Sequence, residues 1–257
     1  MELGDSIEAL RRDPTSPEFA RQVREGARAR GALVQYAEAF TERGRRLAER
    51  GHSAEAIASY IESALVYEEE LDELAQAARL YQLVLDLDPA HRRALFALGL
   101  LLHDLSRFDD LVSLYRTRLD QSRDDNERTT LYLYLAEILS EKLGQDVAAF
   151  EEVMRAARLA PQNIRIISRL ERLGERAGRV DEVAVAIGDL ILNQDDTHVR
   201  AALSLHLAEL YMGPLDDHQR ALAHYKAALS DDGGNPEILS AVEDVFRERE
   251  RFDQLAE

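Results

Sequence analysis

The chain has 257 residues, 46% of them hydrophobic, and a formal net charge of −17 at pH 7. That is enough apolar material to bury an interior and too much for a disordered chain. The acidity argues against nucleic acid, whose phosphates call for a basic face. The absence of cysteine excludes disulfides, thiolate metal ligands and cysteine nucleophiles.

No stretch approaches the ~18 consecutive apolar residues of a membrane span. Met1 to Leu10 lacks the basic-then-apolar pattern of a secretion signal. A cytoplasmic protein with no membrane partner is therefore expected. Residues 1–16 read as a partly ordered N-terminal segment. Ser16, Pro17 and Glu18 then read as cap, first helical position and an acid that suits the helix dipole. They open a helix near 17–30; a second near 32–50 completes a divergent N-terminal pair over 17–52.

From 53 to 257 the apolar residues recur at three and four, the spacing of amphipathic helices. Leu74, Ala77, Ala78, Tyr81, Val84 and Leu85 form one such stripe. Helices are predicted near 53–69, 72–87, 91–104, 107–121, 127–143, 146–159, 163–176, 180–193, 197–211, 217–230 and 236–249. That makes about five helix pairs and an incomplete one. Ser53, Asn126, Thr197 and Asn235 read as caps, and Gly51, Gly144 and Gly178 as turn residues. Because the chain reaches Glu257 in the middle of the next second helix, the array is expected to continue beyond it.

The helices repeat. Arg107-Phe108-Asp109-Asp110-Leu111-Val112 returns as Arg179-Val180-Asp181-Glu182-Val183-Ala184 and as Arg251-Phe252-Asp253-Gln254-Leu255-Ala256, at steps of 72 residues. The same step links Ala77, Ala149 and Ala221; Tyr81, Val153 and Tyr225; Val84, Ala156 and Ala228; and Ala64, Ala136 and Ala208. Each copy holds two shorter units. Ala77-x3-Tyr81-x2-Val84-x4-Pro89 and Ala149-x3-Val153-x2-Ala156-x4-Pro161 place small, large and small residues on a second helix closed by proline. Leu98-Gly99, Leu135-Ala136 and Leu207-Ala208-Tyr211 mark the first helices.

On these residues the chain resembles the tetratricopeptide repeat family over roughly residues 53 to 257. No copy has the family's tryptophan, and Glu171 and Glu243 stand in place of its glycine. The resemblance implies an all-α, right-handed superhelical solenoid of antiparallel helix pairs, with a concave wall lined by first helices. Carried onto this sequence, the wall's partner-binding groove holds Ile61, Leu65, Arg93, Phe96, Leu100, Leu133, Glu137, Arg165, Arg172, Leu205 and Glu209. A one-position change of register would put its apolar members in the core instead. The lysine, asparagine and arginine clamp with which some members hold a C-terminal carboxylate is not reproduced at these positions.

Chemistry is sparse. The sequence has no phosphate-binding glycine loop and no Gly-x-Ser-x-Gly elbow. Of the seven histidines, His198 and His206 share a helix and His224 lies on the next, with Asp216 and Asp217 beside His218. Eight residues between ligands on one helix is about two turns, too far for one ion, so these read as surface histidines. Neither a catalytic site, a metal nor a cofactor is expected. The function expected is a non-enzymatic protein-interaction scaffold that binds a peptide or helix, one suited to basic partners. The alternative is the regulatory or targeting arm of a larger multidomain protein, an enzyme among the options. A third reading, an RNA-processing repeat protein, is opposed by the acidity.

Overall fold

A computed structural model describes the backbone of residues 2–256 and the side chains of residues 2–245 and of Arg247. Among the described residues there are helices and no strands. They divide into two compact units, Met1–Gln121 and Ser122–Glu257.

The first unit holds α1 (Leu3–Arg12), α2 (Pro17–Arg30), α3 (Leu33–Glu49), α4 (Ser53–Leu65), α5 (Leu74–Leu87), α6 (Arg92–Asp104) and α7 (Phe108–Gln121). The second holds α8 (Asp125–Glu137), α9 (Asp146–Leu159), α10 (Ile164–Ala177), α11 (Val180–Leu192), α12 (Thr197–Met212), α13 (His218–Asp231) and α14 (Pro236–Ala256). Helices adjacent in sequence pack on each other within each unit.

Helix starts follow capping chemistry. The Ser16 hydroxyl accepts from the Phe19 amide at 3.3 Å, and the Asn235 side chain accepts from Glu237 at 2.9 Å. Two expected caps are displaced. Asp124 and Asp196, not Asn126 and Thr197, receive the free amides of α8 and α12, each carboxylate oxygen taking two. Ser53 is the first residue of α4, and no side chain caps that helix.

The 72-residue step is written in the backbone as well. α4 and α8 each end in one π turn, Val66–Glu70 and Ile138–Lys142. Leu71 and Leu143 then donate to the carbonyls of Val66 and Ile138, and Glu73 and Gln145 donate to those of Tyr67 and Leu139. The residue between the donors is left-handed, with φ of 55° at Asp72 and 65° at Gly144. Leu215 and Asp217 make the same two bonds around Asp216, at φ 50°. Such closures satisfy carbonyls that a helix end leaves bare. Pro214 has no N–H to offer, and α12 ends there without a π turn.

Two helix boundaries differ from expectation. α1 occupies the segment read as only partly ordered. It is amphipathic, with Leu3 and Leu10 buried and Ile7 half-buried against the same cluster. Arg43 Nε donates to the Pro14 carbonyl and Arg46 Nη1 to the Arg11 carbonyl, both at 2.9 Å, tying α1 and its exit to α3. α14 runs past 249, where an end was predicted. At the two preceding copies Ser106 and Gly178 are left-handed, φ 55° and 67°, and stop their helices; Glu250 stays helical. The side chains of the third motif copy, Arg251 to Ala256, lie outside the described residues.

The core explains the small residues. Ala64, Ala77, Ala136, Ala149, Ala208 and Ala221 are all 0% exposed. Tyr81, Val153 and Tyr225 are buried one turn after Ala77, Ala149 and Ala221. In the third copy Ala208, Ala221 and Tyr225 form one packed cluster. Bulk is also traded between copies. A Cβ on Gly174 would lie 2.2 Å from Val183 Cγ2 and 3.5 Å from Phe150 Cε2. One copy earlier Leu102 stands at that position and Ala78 at that of Phe150, so the large residue has changed helices.

Overpacking the alanine seam should therefore be costly. Ala149→Leu is expected to lower unfolding stability by about 1–3 kcal/mol, and exposed Ala75→Leu to change it by less than about 0.5 kcal/mol, as read from urea midpoints. At the left-handed helix end, Ser106→Gly should stabilise by about 0.5 kcal/mol and Gly178→Ala destabilise by about 1 kcal/mol, because a Cβ is disfavoured there.

Candidate functional site

In the first unit the expected groove residues sit on α4 and α6, both of which pack on α5. Their spacing of four puts Ile61 with Leu65, and Phe96 with Leu100, on one side of each helix. Ile61 and Leu65 are half-buried and Arg93 is exposed. Phe96 is 71% exposed and Leu100 52%. The buried face of α6 is carried instead by Ala94, Leu98, Leu101 and Leu102. None of the five expected residues lies in the core.

An ionic cluster that local sequence patterns do not reveal holds α4 in place. Arg24 of α2 grips Glu62 through Nε at 2.5 Å and Nη2 at 2.7 Å. The Tyr36 hydroxyl of α3 donates to the same carboxylate. Burial, and then the Glu62 carboxylate, push the Tyr36 hydroxyl up to about 12, so it remains a donor at neutral pH. Arg24 and Glu62 are 38 residues apart, and only the helix crossing brings them together. Further along, the Tyr81 hydroxyl donates to Glu68 at 3.0 Å and fixes the π turn of α4 on α5. Burial, with Glu68 second, raises Tyr81 as well.

A broad cleft of this unit lies elsewhere. It has a volume of about 1040 Å3 and follows α5 and α7, with Ala78, Leu85, Leu98, Leu102 and Leu114 in its wall. Phe96 and Leu100 do not line it. Those five wall residues are buried, while Leu83 in the same wall is 38% exposed. The pair on α6 is more exposed, Phe96 and Leu100 both facing water.

In the second unit Leu133 is half-buried on α8 beside exposed Glu137, and Arg165 and Arg172 are exposed on α10. Glu209 is exposed on α12. Leu205 is half-buried and packs into the two small clusters that α12 makes with α13 and α14, so its side chain is partly engaged. A cleft of about 630 Å3 between α12 and α14 carries Glu209, Glu237 and Asp244.

The histidines separate. His198 Nδ1 lies 2.9 Å from Asp232, and the His224 ring stacks on Tyr211 at 5.6 Å. His218 Nε2 is 3.3 Å from Asp216. His206 departs from the surface reading: its side chain is only 16% exposed and Nδ1 lies 2.9 Å from Glu171, the residue that replaces the family glycine. Among the described residues no group of three or more histidine, aspartate or glutamate side chains is arranged to hold a metal ion. Nor, among them, is any helix long and apolar enough to cross a membrane.

Residues 94–129 match the family model for the tetratricopeptide repeat, covering α6, α7 and the start of α8. Comparison with curated proteins gives no match. Among solved structures, YrrB, described as a tetratricopeptide repeat protein with an unusual peptide-binding site, is 20% identical over 80% of this chain and 99% of its own, with a TM-score of 0.39. TTC0263, a thermophilic member from Thermus thermophilus, is 19% identical over 74% of this chain and 99% of its own, at 0.34. The C-terminal part of a repeat protein from Cytophaga hutchinsonii is 13% identical over 91% of this chain and 97% of its own, at 0.40. Scores and identities this low assign no function to this chain. Residues 94–129 thus match one tetratricopeptide repeat, set within an all-helical array of helix pairs that carries a 72-residue period.

Proposed function

We propose that the chain is a non-catalytic scaffold that holds a segment of another protein, helical or extended, against the outward faces of its first helices. In the first unit the segment lies on Ile61, Leu65, Arg93, Phe96 and Leu100. In the second unit, taken by itself, the corresponding face carries Leu133, Glu137, Arg165, Arg172, Leu205 and Glu209. The observation that supports this reading is the exposure of Phe96 and Leu100, one turn apart at 71% and 52%. Water-facing phenylalanine and leucine side by side mark a surface that gains by being covered. Amphipathic helices and extended peptides cover such strips with anchors at helical or alternating spacing.

The net charge of −17 favours partners with basic residues, because complementary charge speeds encounter and sets register. The same charge repels phosphate, which leaves nucleic acid and anionic lipid out of the reading. A cytoplasmic setting accords with the absence of cysteine.

Binders selected from a displayed peptide library against the whole chain provide the test. Phe96→Glu and Leu100→Glu should each weaken a selected peptide at least tenfold, about 1.4 kcal/mol, with unchanged circular dichroism because both side chains are exposed. Equal affinity in both folded variants would end the assignment of this face.

A further inference from the structure

Two carboxylates lie against one imidazole in the second unit. His206 and Glu209 lie one turn apart on α12, Glu171 on α10 and Glu237 on α14. His206 Nδ1 is 2.9 Å from a Glu171 oxygen and 4.0 Å from a Glu209 oxygen. The side chains of His206 and Glu171 are 16% and 18% exposed, so water screens their pairing little. Among the described residues, no arginine or lysine pairs with Glu171, Glu209 or Glu237. The neighbouring helices supply no substitute. On α13, Tyr225 lines the same cleft as Glu209 and Glu237 and His224 stacks on Tyr211; neither is a permanent cation, and no ionisable side chain of α11 pairs with His206 among the described residues.

We propose that His206 is a proton-dependent clamp joining α10 to α12. With its proton, the imidazolium offsets Glu171 and Glu209 and holds two successive first helices together. Without it, the two carboxylates have no cation between them, and this junction loosens.

The direction of titration agrees. Burial by itself pulls His206 down, but the Glu171 hydrogen bond and the charges of Glu171, Glu209 and Glu237 outweigh it, so the net movement is upward. Glu209 is also raised, first by burial and then by Glu171 and Glu237, with His206 opposing. A histidine that holds its proton more tightly when folded stabilises the fold fully below its unfolded value of about 6.5, and that contribution disappears as pH rises through the higher folded value. The clamp is therefore closed in mildly acid solution and opens as the medium turns alkaline. It needs no partner, although Glu209 belongs also to the binding face proposed above.

The test is a histidine NMR titration of the whole chain from pH 5 to 9, with His206 assigned by its loss in His206→Gln. His206 should titrate above 6.5. Glu171→Gln should move its midpoint down below that value, and Glu237→Gln should move it down by a smaller step. Amide exchange in α10 and α12, corrected for intrinsic rates, should rise with pH through the same midpoint in the natural chain and not in His206→Gln. Should that variant not fold, Glu171→Gln takes its place and should flatten the rise by removing the carboxylate in contact with the ring. A midpoint at or below 6.5, a midpoint unmoved by Glu171→Gln, or exchange with no pH step would each overturn the clamp.

Discussion

The structure depends on helices approaching so closely that only a methyl group fits between them. Ala64, Ala136 and Ala208 on first helices, and Ala77, Ala149 and Ala221 on second helices, are wholly buried. A helix pair alone cannot cover both of its apolar faces, so each pair requires the next. The buried tyrosines and valine beside the seam fill what the alanines leave open, at the density expected of a protein interior. The alanine seam therefore governs the spacing of the helices, and that spacing decides which face of each first helix looks outward.

Helix ends carry the same period. A left-handed residue at Asp72, Gly144 and Asp216 turns the chain after each long first helix, and the next amides return to the last carbonyls. Three different sequences thus make one closure. Glycine is favoured there because it has no Cβ, and aspartate tolerates the conformation because its short polar side chain bonds locally. The exchange of bulk between Ala78 with Leu102 and Phe150 with Gly174 follows the same logic. Volume is conserved across the contact and not at either position.

Polar groups do different work in the two units. In the first, Arg24, Tyr36 and Glu62 tie three helices by hydrogen bonds to one carboxylate, and α4 is oriented by that knot. In the second, the corresponding task between first helices falls to His206 and Glu171. An arginine keeps its charge at any physiological pH, whereas a histidine does not. The two junctions therefore respond differently to the medium although the helices around them are alike.

By itself the sequence determined the class, the period and most element boundaries: α2 and α9 begin and end where spacing and caps predict, because helix propensity, proline and glycine act locally. It left open whether Phe96 and Leu100 face outward or lie in the core, since a one-position change of register exchanges the two. Only the tertiary structure decided the rest. α1 is held by carbonyl contacts from Arg43 and Arg46, which no local pattern announces. Leu205, read as groove, is half covered by helices α13 and α14. His206, read as a surface residue, and the pairing of Arg24 with Glu62 depend on how helices far apart in sequence cross. Periodicity records which side of a helix is apolar; it does not record which charged residue another helix brings against it.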